Sequence, residues 1–143
     1  MTNAQDSYDS RQDENGNLSR VIPTPSPGQL SPIEAEERAA KIRTLNDRLR
    51  TSGRGGMTLI TNGIAALGMN RVKQVFDAVA AFDDFGPDND AWGEHDCAVL
   101  TVGGTSVIWK IDYYDRTRRL HSPDPADPKL TVRVLTIMTA KEY

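Results

Sequence analysis

The chain has 143 residues, 38% of them hydrophobic, and a formal net charge of −3. That is the length of one domain, and so mild a charge gives no global argument for nucleic acid or a membrane surface as partner. No stretch approaches the roughly twenty apolar residues of a membrane span, no signal-peptide-like apolar run follows the start, and the lone cysteine, Cys97, excludes an internal disulfide and fits a reducing cytoplasm.

Residues 1–30 are rich in Asp, Ser, Asn, Gln and Pro and lack an apolar face, so they are expected to form a disordered arm, dispensable for folding. Residues 31–143 are expected to form a single domain. Ser31-Pro32-Ile33-Glu34 is a helix start with a capping box, and Gly53 is its stop. Ala35, Ala39, Ile42, Leu45 and Leu49 recur at helical spacing, with Glu36, Glu37, Lys41, Arg43, Arg48 and Arg50 assigned to the polar face. Met57–Thr61 reads as a strand that continues past Gly63 to Leu67.

Asn70 is the expected cap of a second helix, whose core face is Val72, Val75, Phe76, Val79, Ala80 and Phe82 and whose end is Phe85-Gly86-Pro87. Cys97–Val102 and Thr105–Tyr114 flank Gly103-Gly104, a two-residue hairpin signal. With that turn, Ala98, Leu100, Val102, Thr105, Val107, Trp109 and Ile111 share the core face. His95 then stands opposite Asp112, with Lys110 next along the same face and Tyr114 sharing it. Tyr113 points to the core. Asp115–Lys129 is a loop, and Leu130–Ala140 is a strand apolar on both faces, as a central strand tends to be. The expected fold is α+β: two helices packed on a small, mostly antiparallel sheet, in the order helix, strand, helix, hairpin, strand.

The most informative stretch is Asp83–Asp96. It carries six acidic residues and no Lys or Arg, so the rest of the chain sums to +3. One reading is a solvated loop rich in turn residues. The other notes that Asp83 and Asp84 fall in the expected last helical turn, where each opposes the helix dipole by a few tenths to about 1 kcal/mol, and that a cation should answer them. Asp83, Asp84, Asp88, Asp90, Trp92, Glu94 and Asp96 are therefore the candidate partner-binding residues. Asp88, Asp90, Glu94 and Asp96 offer hard oxygens of the kind calcium, magnesium or manganese takes, but without the EF-hand spacing, and neither a metal nor a cofactor is called for. His95, Asp112 and Lys110 are the weak catalytic candidates, with no Ser or Cys nucleophile in a recognisable motif beside them. Arg116, Arg118 and Arg119, with His121, form a basic loop. It is suited either to gripping phosphate or, the preferred expectation, to pairing with the acidic loop.

The segments L-N-D-R-L-R, G-G-M-T-L-I-T, A-F-D-D-F-G-P-D-N-D-A-W-G-E-H-D, W-K-I-D-Y-Y-D, S-P-D-P-A-D-P and R-V-L-T-I-M-T-A-K-E-Y resemble a bacterial family known as domain of unknown function 3768, from about Ile42 to Tyr143. The resemblance implies a small protein often carried on plasmids and other mobile elements, and it brings no activity with it. Where this chain has Cys97-Ala98, the family more often has an aromatic residue followed by Gly, which speaks against a catalytic Cys97. The leading expectation is a non-enzymatic interaction protein of a mobile element that binds a protein partner through the acidic loop. The alternative is a small nuclease or other hydrolase using the His95, Asp112 and Lys110 face with the basic loop. Nucleic acid has no module to support it, and no membrane contact is expected.

Overall fold

The computed structural model describes the backbone of residues 9–12 and 18–21 and the whole of residues 28–143. Most of the expected disordered arm lies outside the described residues. Its two described segments, β1 (Asp9–Gln12) and β2 (Leu18–Val21), pair as an antiparallel ladder. The chain divides into compact units at residues 1–36 and 37–143.

Helix α1 (Pro32–Ser52) starts on the expected capping box. The Glu34 N–H donates to Ser31 Oγ at 3.2 Å, and the Ser31 N–H donates to Glu34 Oε2 at 2.9 Å. Its buried stripe is Ile42, Asn46, Leu49 and Arg50. Arg50 was assigned to the polar face, yet it is only 8% exposed. Position 50 follows 42, 46 and 49 on one helical face, and Nη1 and Nη2 of the long side chain find acceptors inside the fold.

After β3 (Met57–Ile60) the chain does not continue as a strand. It turns into a short helix, α2 (Asn62–Ala65). The cause lies at the far end of the sequence. Glu142 accepts from the Thr61 hydroxyl at 2.7 Å, from the Gly63 N–H at 3.1 Å and from the Thr139 N–H at 2.8 Å. A Cβ at Gly63 would collide with that carboxylate. These bonds favour the ionised form and hold the Glu142 carboxyl down at about 2, against an ordinary 4.5. A depressed carboxyl contributes stability above its unfolded value, and that contribution is lost as pH falls toward its folded value. The gap in melting temperature between wild type and Glu142→Gln should therefore be full at pH 6 and close as pH falls from 4.5 toward 2. A gap that stays constant over that window would contradict the assignment.

Helix α3 (Met69–Ala81) begins one residue before the expected cap, Asn70, with Gly68 at the N-cap and φ of 90°. Val75 and Val79 are buried as expected, but Phe76 is 40% exposed. The helix ends at Ala81 with Phe82 as an extended C-cap, so Asp83 and Asp84 lie beyond its last turn.

Strands β4 (Cys97–Val102) and β5 (Thr105–Tyr114) form the hairpin in the expected register, from Cys97 opposite Lys110 to Val102 opposite Thr105. Both turn glycines have positive φ, 54° and 81°, which is why the turn needs glycine twice. Strand β6 (Val132–Thr139) is shorter than expected and central, in the order β3-β6-β5-β4. It runs antiparallel to β5 and parallel to β3. Leu135 and Ile137 on one face and Val134 and Met138 on the other are all buried, which accounts for its two-sided apolar pattern. The core gathers Ile42 and Leu49 of α1, Val75 and Val79 of α3, and Val107, Trp109, Ile111, Leu135 and Ile137 of the sheet. The fold is α+β, with α2 added to the expected elements. No helix among the described residues is long and apolar enough to cross a membrane.

Candidate functional site

The acidic segment leaves α3 and is tied at its base to the core. The Phe82 and Phe85 rings meet edge to face at 5.0 Å, and each stands edge to face against Trp109, at 6.0 and 6.1 Å. Arg50 supplies the cation expected near Asp83 and Asp84, but it reaches carbonyls and not those carboxylates. Its Nη1 donates to the carbonyls of Val79, Ala80 and Phe82 at 2.9, 3.1 and 2.8 Å, closing the C-terminal end of α3. Its guanidinium carbon lies 5.3 Å from the ring centroids of both Phe85 and Trp109. Its Nη2 donates to Asp47 Oδ1 at 3.0 Å.

Asp47 carries the anchorage onward. The same Oδ1 lies 2.9 Å from His95 Nδ1, and His95 Nε2 lies 3.5 Å from Asp90 Oδ2. The His95 N–H donates to Asp90 Oδ1 at 3.0 Å, and its ring stacks on Phe85 at 3.7 Å. His95 is thus not opposite Asp112. The ladder register persists as far as the Ile111 N–H donating to the Asp96 carbonyl at 2.7 Å, and then His95 takes a left-handed φ of 53° that swings it toward α1. A partner on the helix and a ring beneath it outweigh one more ladder pair. Both imidazole nitrogens face carboxylates.

The six carboxylates therefore divide. Asp90 has a side chain only 6% exposed and is spent on His95. Glu94 Oε1 accepts from the Tyr113 hydroxyl at 2.9 Å. Burial pushes the Asp96 carboxyl above its ordinary range, against its own backbone N–H, and Glu94, Asp90 and Asp112 push it the same way. Asp83, Asp84 and Asp88 stay exposed, and so does Trp92, at 82%. Two further clamps come from α1, Arg43 Nη1 to the Gly93 carbonyl at 2.7 Å and Asn46 Nδ2 to the Glu94 carbonyl at 3.0 Å. Among the described residues, no three or more His, Cys, Asp or Glu side chains gather as metal ligands.

The profile of a family described as protein of unknown function (DUF3768) matches residues 60–142. The chain belongs to the DUF3768 family. The match runs from Ile60, the last residue of β3, to Glu142, includes the whole acidic loop, and begins later than the expected Ile42. No curated protein and no solved structure matches the chain.

In this DUF3768 protein the other expected constellations separate. Lys110 Nζ pairs with Asp112 Oδ2 at 2.9 Å on the sheet face opposite the core, and that bond raises the lysine above its ordinary value. The pair lines a groove of about 510 Å³ with Cys97, Val99, Ile108 and Tyr143. Burial, with Asp96 and Asp90, pushes the Cys97 thiol up, the opposite of an activated nucleophile. Arg116, Arg118 and Arg119 are exposed, and no ion pair joins them to the acidic loop among the described residues. Their loop is organised from within. Asp115 Oδ1 accepts from the Thr117 hydroxyl at 2.7 Å and from the Arg119 N–H at 3.2 Å, which aims the arginines outward. His121 bridges to Tyr114 in the sheet. Sequence reasoning missed Asn46, Asp47 and Arg50. The signal available was polar residues at 46 and 50 on the same helical face as Ile42 and Leu49.

Proposed function

We propose that this chain is a non-enzymatic binding protein that docks a basic protein partner through the outer face of the acidic loop, formed by Asp83, Asp84, Asp88 and Trp92. One observation carries the reading. Trp92 is 82% exposed on a loop whose base is clamped by Arg43, Asn46, Asp47 and Arg50. A large aromatic held in water on a preorganised loop has the composition of an interface anchor, and its ordering entropy is already spent. Unpaired surface carboxylates around it steer a positively charged partner and disfavour phosphate backbones. We place this activity in the bacterial cytoplasm, in service of a mobile element, a setting that an exposed free thiol at Cys97 suits. The hydrolase alternative would draw on His95, the Lys110–Asp112 pair and the basic loop, and His95 turns to Asp47 and Asp90 instead of to Asp112.

The test is capture from a bacterial lysate. Asp83→Asn, Asp84→Asn and Asp88→Asn combined should leave the melting temperature unchanged or slightly higher, because these residues make no ion pair among the described residues and follow a helix C-terminus. The same change should abolish salt-sensitive capture. Trp92→Ala should weaken capture roughly tenfold or more, the scale of an interface hot spot. Neutralising Asp90 and Glu94 is a different experiment, since both are bonded into the fold and their loss should destabilise it. Full capture by both outer-face variants would sink the reading.

A further inference from the structure

The two edges of the four-stranded sheet are not alike. At one edge β3 offers four residues before the chain turns into α2. At the other, β4 offers six, C-A-V-L-T-V, with no charge, no proline and no break in its register. Natural sheets guard such an edge with lysine, proline or a bulge, because its unpaired amides and carbonyls template another strand. The ladder shows which groups are unpaired. The Ile111 N–H donates to the Asp96 carbonyl at 2.7 Å, which makes 96 and 111 a hydrogen-bonded pair. Bonding direction alternates along an antiparallel strand. Ala98, Leu100 and Val102 therefore turn their N–H and C=O groups to β5, and Cys97, Val99 and Thr101 turn theirs outward. Among the described residues, those three have no backbone hydrogen bond to any other loop or turn.

This free row is self-complementary. A second β4, laid antiparallel about a two-fold axis at Val99, pairs 99 with 99 and 97 with 101, so every free N–H meets a free carbonyl. The side chains suit the same register. Val99, 61% exposed, meets its own copy, Cys97 meets Thr101, Ala98 meets Leu100, and no like charges are opposed. The two ends of the strand differ in charge. Asp96 precedes its first residue. Beyond its last, the Arg71 guanidinium of α3 fills the space that a Cβ on Gly103 would need. Neither Asp96 nor Arg71 makes an ion pair among the described residues. Two-fold pairing sets each Asp96 end beside the partner's Arg71 end, and does so twice. We propose that β4 pairs with β4 of a second copy of this chain about a two-fold axis at Val99, joining the two sheets into one. This interface is separate from the outer face of the acidic loop, and neither reading depends on the other.

Sedimentation of the full chain should show a monomer–dimer equilibrium at micromolar to submillimolar concentration. Val99→Lys opposes two ammonium groups at the axis. It should leave the melting temperature within a few degrees and raise the dissociation constant about tenfold or more. Disulfide trapping checks the register. In a Cys97→Ser background, Val99→Cys should oxidise to a crosslinked dimer, since the Cα atoms of a hydrogen-bonded pair lie about 5.5 Å apart, within a disulfide's span. Thr101→Cys in the same background should not, since its two copies stand four residues apart along the ladder, roughly 13 Å. Should Val99→Lys fail to fold, the trapping contrast decides. A wild type that stays monomeric, whether alone or with a foreign strand on the edge, overturns the inference. So does a dimer that Val99→Lys leaves intact, or crosslinking at 101 as ready as at 99.

Discussion

Replacing Trp109 by alanine is expected to lower stability by about 3–5 kcal/mol, the range for large aromatics removed from cores. The indole is fully buried on β5, opposite Ala98 on one side and Ile137 on the other. Phe82, Phe85 and Arg50 all lean on it, so the cavity would open beneath the acidic loop as well as within the sheet. For a unit of this size the melting temperature should fall by roughly 10–20 °C. Chemical denaturation with an unchanged slope would give the free energy directly. A loss below about 1 kcal/mol would mean that the hairpin register is wrong, because a one-residue slip reverses every face.

Arg50→Ala should cost about 3 kcal/mol, near the low end for breaking a buried charge pair, since Asp47 keeps some access to water. Three carbonyls at the end of α3 would lose their donor, and Asp47 would keep only His95. Arg50→Lys should recover only part of this, because an ammonium cannot reproduce the fork that spans the carbonyls and the carboxylate. Hydrogen exchange would localise the effect. The amides of the last turn of α3 and of the loop should lose protection first, while those of β5 and β6 hold. A stability change under about 0.5 kcal/mol would show that the cap is a surface decoration and not a support.

What the sequence made legible was local. The capping box at Ser31, the two-glycine turn and its register, and the two-sided apolar pattern of β6 each follow from residues that are neighbours in the chain or directly paired. The candidate site was legible as a charge anomaly, and Trp92 was picked out with it. Its internal division was not legible, because the side chains that divide it come from elsewhere. Asp47 and Arg50 lie about forty residues upstream, and nothing in F-D-D-F-G-P-D-N-D announces them. The same physics explains the two misassigned polar contacts. His95 gave up its ladder position for a stacked ring and two carboxylates, and the arginines after β5 followed the turn built by Asp115 instead of reaching across to opposite charge. Glu142, which turns the chain after Ile60 from strand to helix, acts from 81 residues beyond Thr61.

The central claim is that Trp92 and the carboxylates around it face a partner. Hydroxyl-radical footprinting of the intact chain, alone and in the complex recovered from lysate, tests it most directly. Trp92 should be oxidised readily in the free chain and protected severalfold in the complex, while Val99 and Leu120, exposed elsewhere on the surface, react equally in both. Trp92 oxidised as fast in the complex as in the free chain, with protection falling on Val99 or Leu120 instead, would contradict the account.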